Sequence, residues 1–224
     1  MSRQRQTRLP RTASARLALL LMALAVPLLL AAPASAGAAE DCSSEDNEKR
    51  ISGCTELLLQ EGLDPNTAAL AYSLRALAYS IKGQYDQAIP DYDRALALNP
   101  NFAVALNNRA WALFKSGRAE AGMNDVERSL VLSPGSPHAL DTRAHIKQFT
   151  GRPAEAIADY DLAMRIGGEK IVKLYQCGLQ SQGMYEGDID GVLSDAVRAA
   201  LKKCVMSGTC DPLPPDEECR RVTS

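Results

Sequence analysis

Residues 69–102 read ALAYSLRALAYSIKGQYDQAIPDYDRALALNPNF, residues 103–136 read AVALNNRAWALFKSGRAEAGMNDVERSLVLSPGS, and residues 137–168 read PHALDTRAHIKQFTGRPAEAIADYDLAMRIGG. Set one beneath another, the stretches agree at a spacing of 34: Gly83, Gly117 and Gly151 form one column, and Ala76, Ala110 and Ala144 another. Ala88, Gly122 and Ala156, then Tyr92, Val126 and Tyr160, then Ala95, Ser129 and Ala163, complete the pattern. A fixed period of this length is the mark of a repeat array. In the first stretch, apolar or small residues recur at three- and four-residue spacing, which predicts helices over 69–82 and 86–97 with Gly83 letting the chain turn between them. Ala76 and Ala88 are small because the two helices must approach closely there, and Tyr92 fills the wider space nearer the helix ends. Asn99-Pro100 and Ser133-Pro134 stop the second helices, since the residue before proline is pushed out of the helical region. One hairpin cannot bury its own apolar face, so consecutive units must stack and share cores. The expected fold is all-α, a solenoid of helical hairpins.

The small-residue, glycine, aromatic and proline columns together resemble the tetratricopeptide repeat family, over residues 69–168. Gly122 and Ser129 depart from the alanine usual in their columns, and Gly168 stands where proline is common, so the second unit is expected to be less tightly packed. Upstream, residues 49–61 (KRISGCTELLLQE) read as another amphipathic helix followed by Leu63-Asp64-Pro65. Shifting the frame back by 34 places Cys54 in the column of Ala88 and Pro65 near the terminating proline. Residues 37–68 are therefore read as an N-terminal cap or incomplete repeat.

In the resembled family the first helices of successive repeats line a concave surface that binds extended peptides or protein segments. Carried onto this sequence, that surface includes Ser73, Leu77, Ser80 and Ile81, then Asn107, Trp111, Phe114 and Lys115, then Asp141, His145, Gln148 and Phe149. Asn107 offers both a donor and an acceptor to a peptide backbone. Trp111, Phe114 and Phe149 supply apolar pockets, and Lys115 a positive point for a carboxylate. Trp111 also reads as packing inside a helical repeat, and Lys115 and Asp141 as solvated surface residues. The surface is sparse in Lys and Arg, so the two-carboxylate-clamp specificity of chaperone-binding members is not transferred.

After Gly167-Gly168 the period breaks. Residues 169–182 (EKIVKLYQCGLQSQ) predict a helix, residues 183–191 (GMYEGDIDG) a glycine-punctuated turn, and Ser194 to Cys204 a second helix with Ser194 at its N-cap. Val172, Tyr175-Gln176, Leu179, Gly183, Tyr185, Gly187, Ile189, Asp190-Gly191, Leu193, Ala196, Ala200 and Leu201 resemble the small helical peptidoglycan-binding domain of exported bacterial proteins. That resemblance assigns residues 169–206 to the segment and makes Tyr185, Asp188 and Asp190 its candidate glycan or peptide contacts. Asp190-Gly191 also serves as a turn, and helix 169–182 also serves to cap the repeat stack. Residues 207–224 carry Pro212, Pro214 and Pro215 and read as an extended tail.

Arg3, Arg5, Arg8, Arg11 and Arg16 precede the apolar run of residues 17–32, and Ala34-Ser35-Ala36 follows it, the layout of a signal peptide cleaved after Ala36. The expectation is export to a bacterial periplasm, with no stable transmembrane segment after processing. Six cysteines (Cys42, Cys54, Cys177, Cys204, Cys210 and Cys219) favour disulfides, and sequence proximity with helical grouping pairs Cys42 with Cys54, Cys177 with Cys204, and Cys210 with Cys219. No CxxC pair occurs, so no metal site is expected. The whole chain has a net charge of -2; without residues 1–36 and their five arginines, 20 bases face 27 acids, near -7. That balance disfavours a broad nucleic-acid-binding surface. No catalytic constellation or cofactor motif is found: His138 and His145 lack the acid of an HExxH pattern. Asp91, Asp93, Asp159 and Asp161 read as a solvated face, with Asp91 beside Arg94 as a local ion pair. The functional expectation is a noncatalytic scaffold or adaptor that binds a peptide or protein segment on its concave surface. The alternative is a peptidoglycan-associated structural protein.

Overall fold

A computed structural model describes residues 34–213 and Cys219. All but the last three residues of the expected leader lie outside these, as does the tail beyond Leu213 apart from Cys219. The helices are α1 (Ala34–Cys42), α2 (Asn47–Leu58), α3 (Pro65–Ile81), α4 (Tyr85–Leu98), α5 (Ala103–Lys115), α6 (Ala119–Leu132), α7 (Pro137–Phe149), α8 (Pro153–Ser181) and α9 (Asp195–Ser207). The pairs α3–α4, α5–α6 and α7 with the first arm of α8 are the three repeating hairpins, and the protein is an all-α solenoid of the tetratricopeptide type. Pro65 opens α3 rather than closing α2: it stands in the first turn, and the Asp64 carboxylate caps the helix by accepting from the Asn66 and Thr67 amides.

Each repeat closes on its small columns. Ala76, Ala88, Ala110, Ala144 and Ala156 are fully buried, and Tyr92 and Tyr160 fill the wider gap without exposing surface. The expectation of a loose second unit is overturned at both of its departures. A Cβ on Gly122 would lie 2.7 Å from the Ala110 carbonyl oxygen, so α5 and α6 approach more closely than an alanine there allows. Ser129 turns its hydroxyl into a bond, donating to the Ala103 carbonyl at 2.8 Å and tying α6 to the start of α5.

A second set of columns holds the units together through charge. Arg75, Arg109 and Arg143 on the first helices each grip an aspartate sixteen residues on, namely Asp91, Asp125 and Asp159, with two hydrogen bonds apiece at 2.6–2.9 Å. Arg75 also reaches back to Thr55 of α2 and Arg109 to Asp93 of α4, so these two guanidiniums bridge their own hairpins to the preceding ones. Planar bidentate pairing of this kind fixes geometry as well as charge. Asp91 and Asp159 are therefore not part of a solvated face; each is 5% exposed, and Asp91 pairs with Arg75 rather than Arg94. Lys147 adds a second cation to Asp159 at 2.7 Å.

The N-terminal helices α1 and α2 form a short hairpin, with the Cys42–Cys54 disulfide clipping them where Gly53 abuts the Asp41–Cys42 backbone. At the other end α8 breaks at Gly168, whose φ of 66° and ψ of -156° lie in a region open only to glycine. The second arm of α8 returns to the repeat's phase: Gly178 falls 34 residues after Ala144, and Tyr175 the same distance after Asp141. With α9 it covers the end of the stack, burying Val172, Tyr175, Leu179, Val197, Leu201 and Cys204 against Ala144, Tyr160 and Met164. Each buried valine or leucine among them contributes about 1.5–3 kcal/mol. Arg198 of α9 binds Asp161 at 2.8 Å, supplying the arginine that Cys177 displaces from the fourth position of the Arg75 column.

Cys42 pairs with Cys54 as expected, and the other two bonds are exchanged. Cys177 joins Cys219, and Cys204 joins Cys210, with Cα separations of 5.5 and 5.1 Å. The cause is Gly208, which ends α9 in the left-handed conformation and turns the chain back at once, delivering Cys210 to Cys204. Cys177 is then left to the segment that carries Cys219.

Candidate partner-binding face

The first helices α3, α5 and α7 lie side by side, and their shared face carries the residues expected to meet a partner. Trp111 and Phe114 of α5 pack ring to ring at 5.5 Å; Trp111 meets His145 of α7 edge-on at 5.2 Å, and Phe114 meets Phe149 edge-on at 5.6 Å. Trp111 and Phe114 are half-buried, whereas Phe149 is 69% exposed and Ile81 50%. Lys115 is exposed, with its ammonium 5.4 Å from the Trp111 ring centroid. Leu77 and Asn107 are half-buried, and Ser73 is buried.

Beneath this face, between the first two repeats, three buried polar atoms stand without partners. The Ser80 hydroxyl, the Asn107 carbonyl oxygen and the Tyr92 hydroxyl are all buried, and the Tyr92 hydroxyl sits among Ser80 and Asn108 without a well-formed bond. Buried polar groups of this kind normally find a partner. Burial holds the Tyr92 phenol well above the usual tyrosine range, so it remains a donor.

At the third repeat the arrangement differs. Asp141 and His145 were expected on an open surface, but His145 is only 7% exposed because residues Cys210–Leu213 cross α7 on top of it. Its Nδ1 faces the Asp141 carbonyl at 2.9 Å and its Nε2 faces Asp211 Oδ1 at 2.9 Å. Burial opposes charging this imidazole, but the Asp141 and Asp211 carboxylates outweigh burial and push it up to about 10. Burial likewise opposes the Asp211 charge, and the hydrogen bond from His145 overcomes it and holds that carboxyl below its usual range. Beneath them Tyr175 donates to Asp141, and Tyr160 donates to Gln148 at 3.1 Å. No local pattern in the sequence joins Asp211 to His145, which lie 66 residues apart.

The residues singled out after the repeats are committed to their own turn. Fully buried Gln176 donates to Asp190 Oδ1 at 2.7 Å and accepts from the Gly191 amide at 2.8 Å. The Val192 amide donates to the same Asp190 oxygen, and the Gln176 and Val192 bonds hold this carboxyl below its usual range. Tyr185 donates to the Asp188 carbonyl at 3.1 Å. Asp188 and Asp190 remain exposed, with Tyr185 half-buried.

Among the described residues no cluster of metal-binding side chains occurs, and no helix is long and apolar enough to cross a membrane. Two tetratricopeptide-repeat family models match, over residues 69–102 and 91–122. No curated protein matches the chain. Among solved structures, two of MamA are each 21% identical over 54% of this chain, covering 68% and 63% of their own, with TM-scores of 0.47 and 0.46. The secreted, periplasmic location expected from the sequence is corrected here and not carried forward. The family match does not extend to residues 169–206, and nothing marks them as a distinct peptidoglycan-binding module. Tetratricopeptide proteins are a noncatalytic family. The 34-residue period, the stacked hairpins and the matched models agree that residues 69–122 are similar to tetratricopeptide repeats, in a chain whose fold is a solenoid of that type.

Proposed function

We propose that the protein is a noncatalytic adaptor that binds an extended protein segment along the face of α3, α5 and α7, over its first two repeats and the exposed Phe149 end of the third. The observation that carries this reading is the unbroken aromatic row Trp111, Phe114 and Phe149, open to solvent at Phe149 and flanked by Lys115. A large exposed aromatic beside partly buried ones gives a partner rigid apolar area at little entropic cost. Attachment to peptidoglycan through Tyr185, Asp188 and Asp190 has less support, because Asp190 and Tyr185 are engaged within the turn.

The test is a pull-down from native extract with the full chain and a Trp111→Ala, Lys115→Ala variant whose circular dichroism is unchanged. The variant is expected to recover its partner at least tenfold less well, and equal recovery contradicts the proposal.

A further inference from the structure

The segment that follows α9 occupies the partner-binding face itself. Gly208 reverses the chain, the Cys204–Cys210 disulfide holds the return, and Cys210–Leu213 lies across α7 with Cys210 4% exposed and Pro212 fully buried. Two contacts to α7 define how it is held. Gln148 Nε2 donates to the Cys210 carbonyl at 2.8 Å, and His145 Nε2 meets the Asp211 carboxylate at 2.9 Å. Asp211 also accepts from the Leu213 amide at 3.0 Å, which turns the strap so that Leu213 packs on the terminal core.

These are contacts a peptide ligand would make: a side-chain amide reading a backbone carbonyl, and one imidazole N–H reading a carboxylate while the other ring nitrogen is held by Asp141. The register shows that the third repeat is specialised for them. His145 shares its column with Leu77 and Trp111, and Gln148 shares its column with Ser80 and Phe114, so only the third repeat offers both an imidazole and an amide. Lys115, one helix away, adds its positive field at Asp211.

The geometry points to an aspartate-binding seat on the third repeat, formed by His145 and Gln148, whose resident occupant is the chain's own Cys210–Leu213 strap. Its external ligand is an extended segment presenting an aspartate followed by proline and an apolar residue. The inference rests on the reading of the α3, α5 and α7 face as a partner-binding surface and names what its third position selects. A tethered strap meets the seat at a high effective concentration, so a free segment competes only once the strap is loosened.

The test uses the full chain and two capped synthetic peptides, Thr-Ser-Asp-Pro-Leu and Thr-Ser-Asn-Pro-Leu. Binding is followed by the fluorescence of Trp111, whose ring lies 5.2 Å from that of His145, and by the His145 ring resonances. In a chain carrying Cys204→Ser, Cys210→Ser and Asp211→Asn, the aspartate peptide is expected to bind at least tenfold more tightly than the asparagine peptide. It is also expected to bind at least tenfold more tightly than to the unaltered chain. Equal binding of the two peptides, or no binding to a variant whose helical signal is intact, overturns the seat. If that variant loses its helical signal, Asp211→Asn alone, with every disulfide retained, takes its place under the same two criteria. Failure here with the Trp111-dependent pull-down intact removes the seat and leaves the face; failure of both removes the face as well.

Discussion

Replacing Asp159 with alanine tests the ion-pair columns at their most loaded point. Asp159 is 5% exposed and faces Arg143 through two bonds and Lys147 through one. Burial opposes its charge, and the Arg143 and Lys147 bonds more than compensate, holding the carboxyl below its usual range. Its contribution is therefore present above the unfolded carboxylate range and is lost as pH falls through the lower folded value. Removing one partner of a buried pair costs about 3–5 kcal/mol, because the other charge is left uncompensated. Arg143 keeps a quarter of its side chain in water, which places the loss near the lower bound, about 3 kcal/mol. At about 2–4 °C per kcal/mol for a protein of this size, Tm falls by about 6–12 °C. The assay is urea and thermal unfolding followed by circular dichroism, run as a cycle with Lys147→Met. Asp93→Ala, at a half-exposed carboxylate, is the control and is expected to cost no more than about 1 kcal/mol. A loss at Asp159 below about 0.5 kcal/mol, the scale of an exposed pair, refutes the reasoning.

Three further outcomes follow from single positions. Gly122→Ala is expected to destabilise the chain by about 1–3 kcal/mol, since the new methyl meets the Ala110 backbone; a neutral result in urea unfolding contradicts the close approach. Pro90 sits inside α4, where Asn124 and Ala158 occupy the matching positions. Pro90→Ala is expected to raise stability by about 1–2 kcal/mol, the restored helix bond outweighing the looser unfolded chain, as the same unfolding assay would show. His145 has a folded value of about 10, raised above that of a free histidine. Its stabilisation is full below about pH 6.5 and fades as pH rises through the folded value. Urea midpoints are expected to fall across that window in the native chain and to lose that fall in His145→Gln.

Much of the fold was legible because helical hairpins repeat in phase: the glycine and alanine columns locate the turns and the close approaches without any knowledge of the core. The charge columns carried the same 34-residue signal. Arg75, Arg109 and Arg143, like Asp91, Asp125 and Asp159, recur in register. They were missed because carboxylates were paired along one helix, as Asp91 with Arg94, whereas the real partner lies across the hairpin. Gly122 misled for a related reason, since a residue smaller than expected permits tighter packing as readily as it leaves a gap. The disulfide exchange and the strap over His145 depend on where the chain goes after Gly208, a tertiary outcome with no local pattern. Thus the face was legible over Trp111 and Phe114, and its closure at the third repeat was not.

The central claim is that one face runs open from the first two repeats to Phe149 and is covered over His145 of the third. The chain's two histidines, exposed His138 and buried His145, supply an internal control on the same helix. Acylation by diethyl pyrocarbonate at neutral pH, read residue by residue by mass spectrometry, is predicted to modify His138 at least tenfold faster than His145. His145 is predicted to become reactive when Cys204→Ser and Cys210→Ser free the strap. Comparable rates at the two histidines in the unaltered chain would contradict the account.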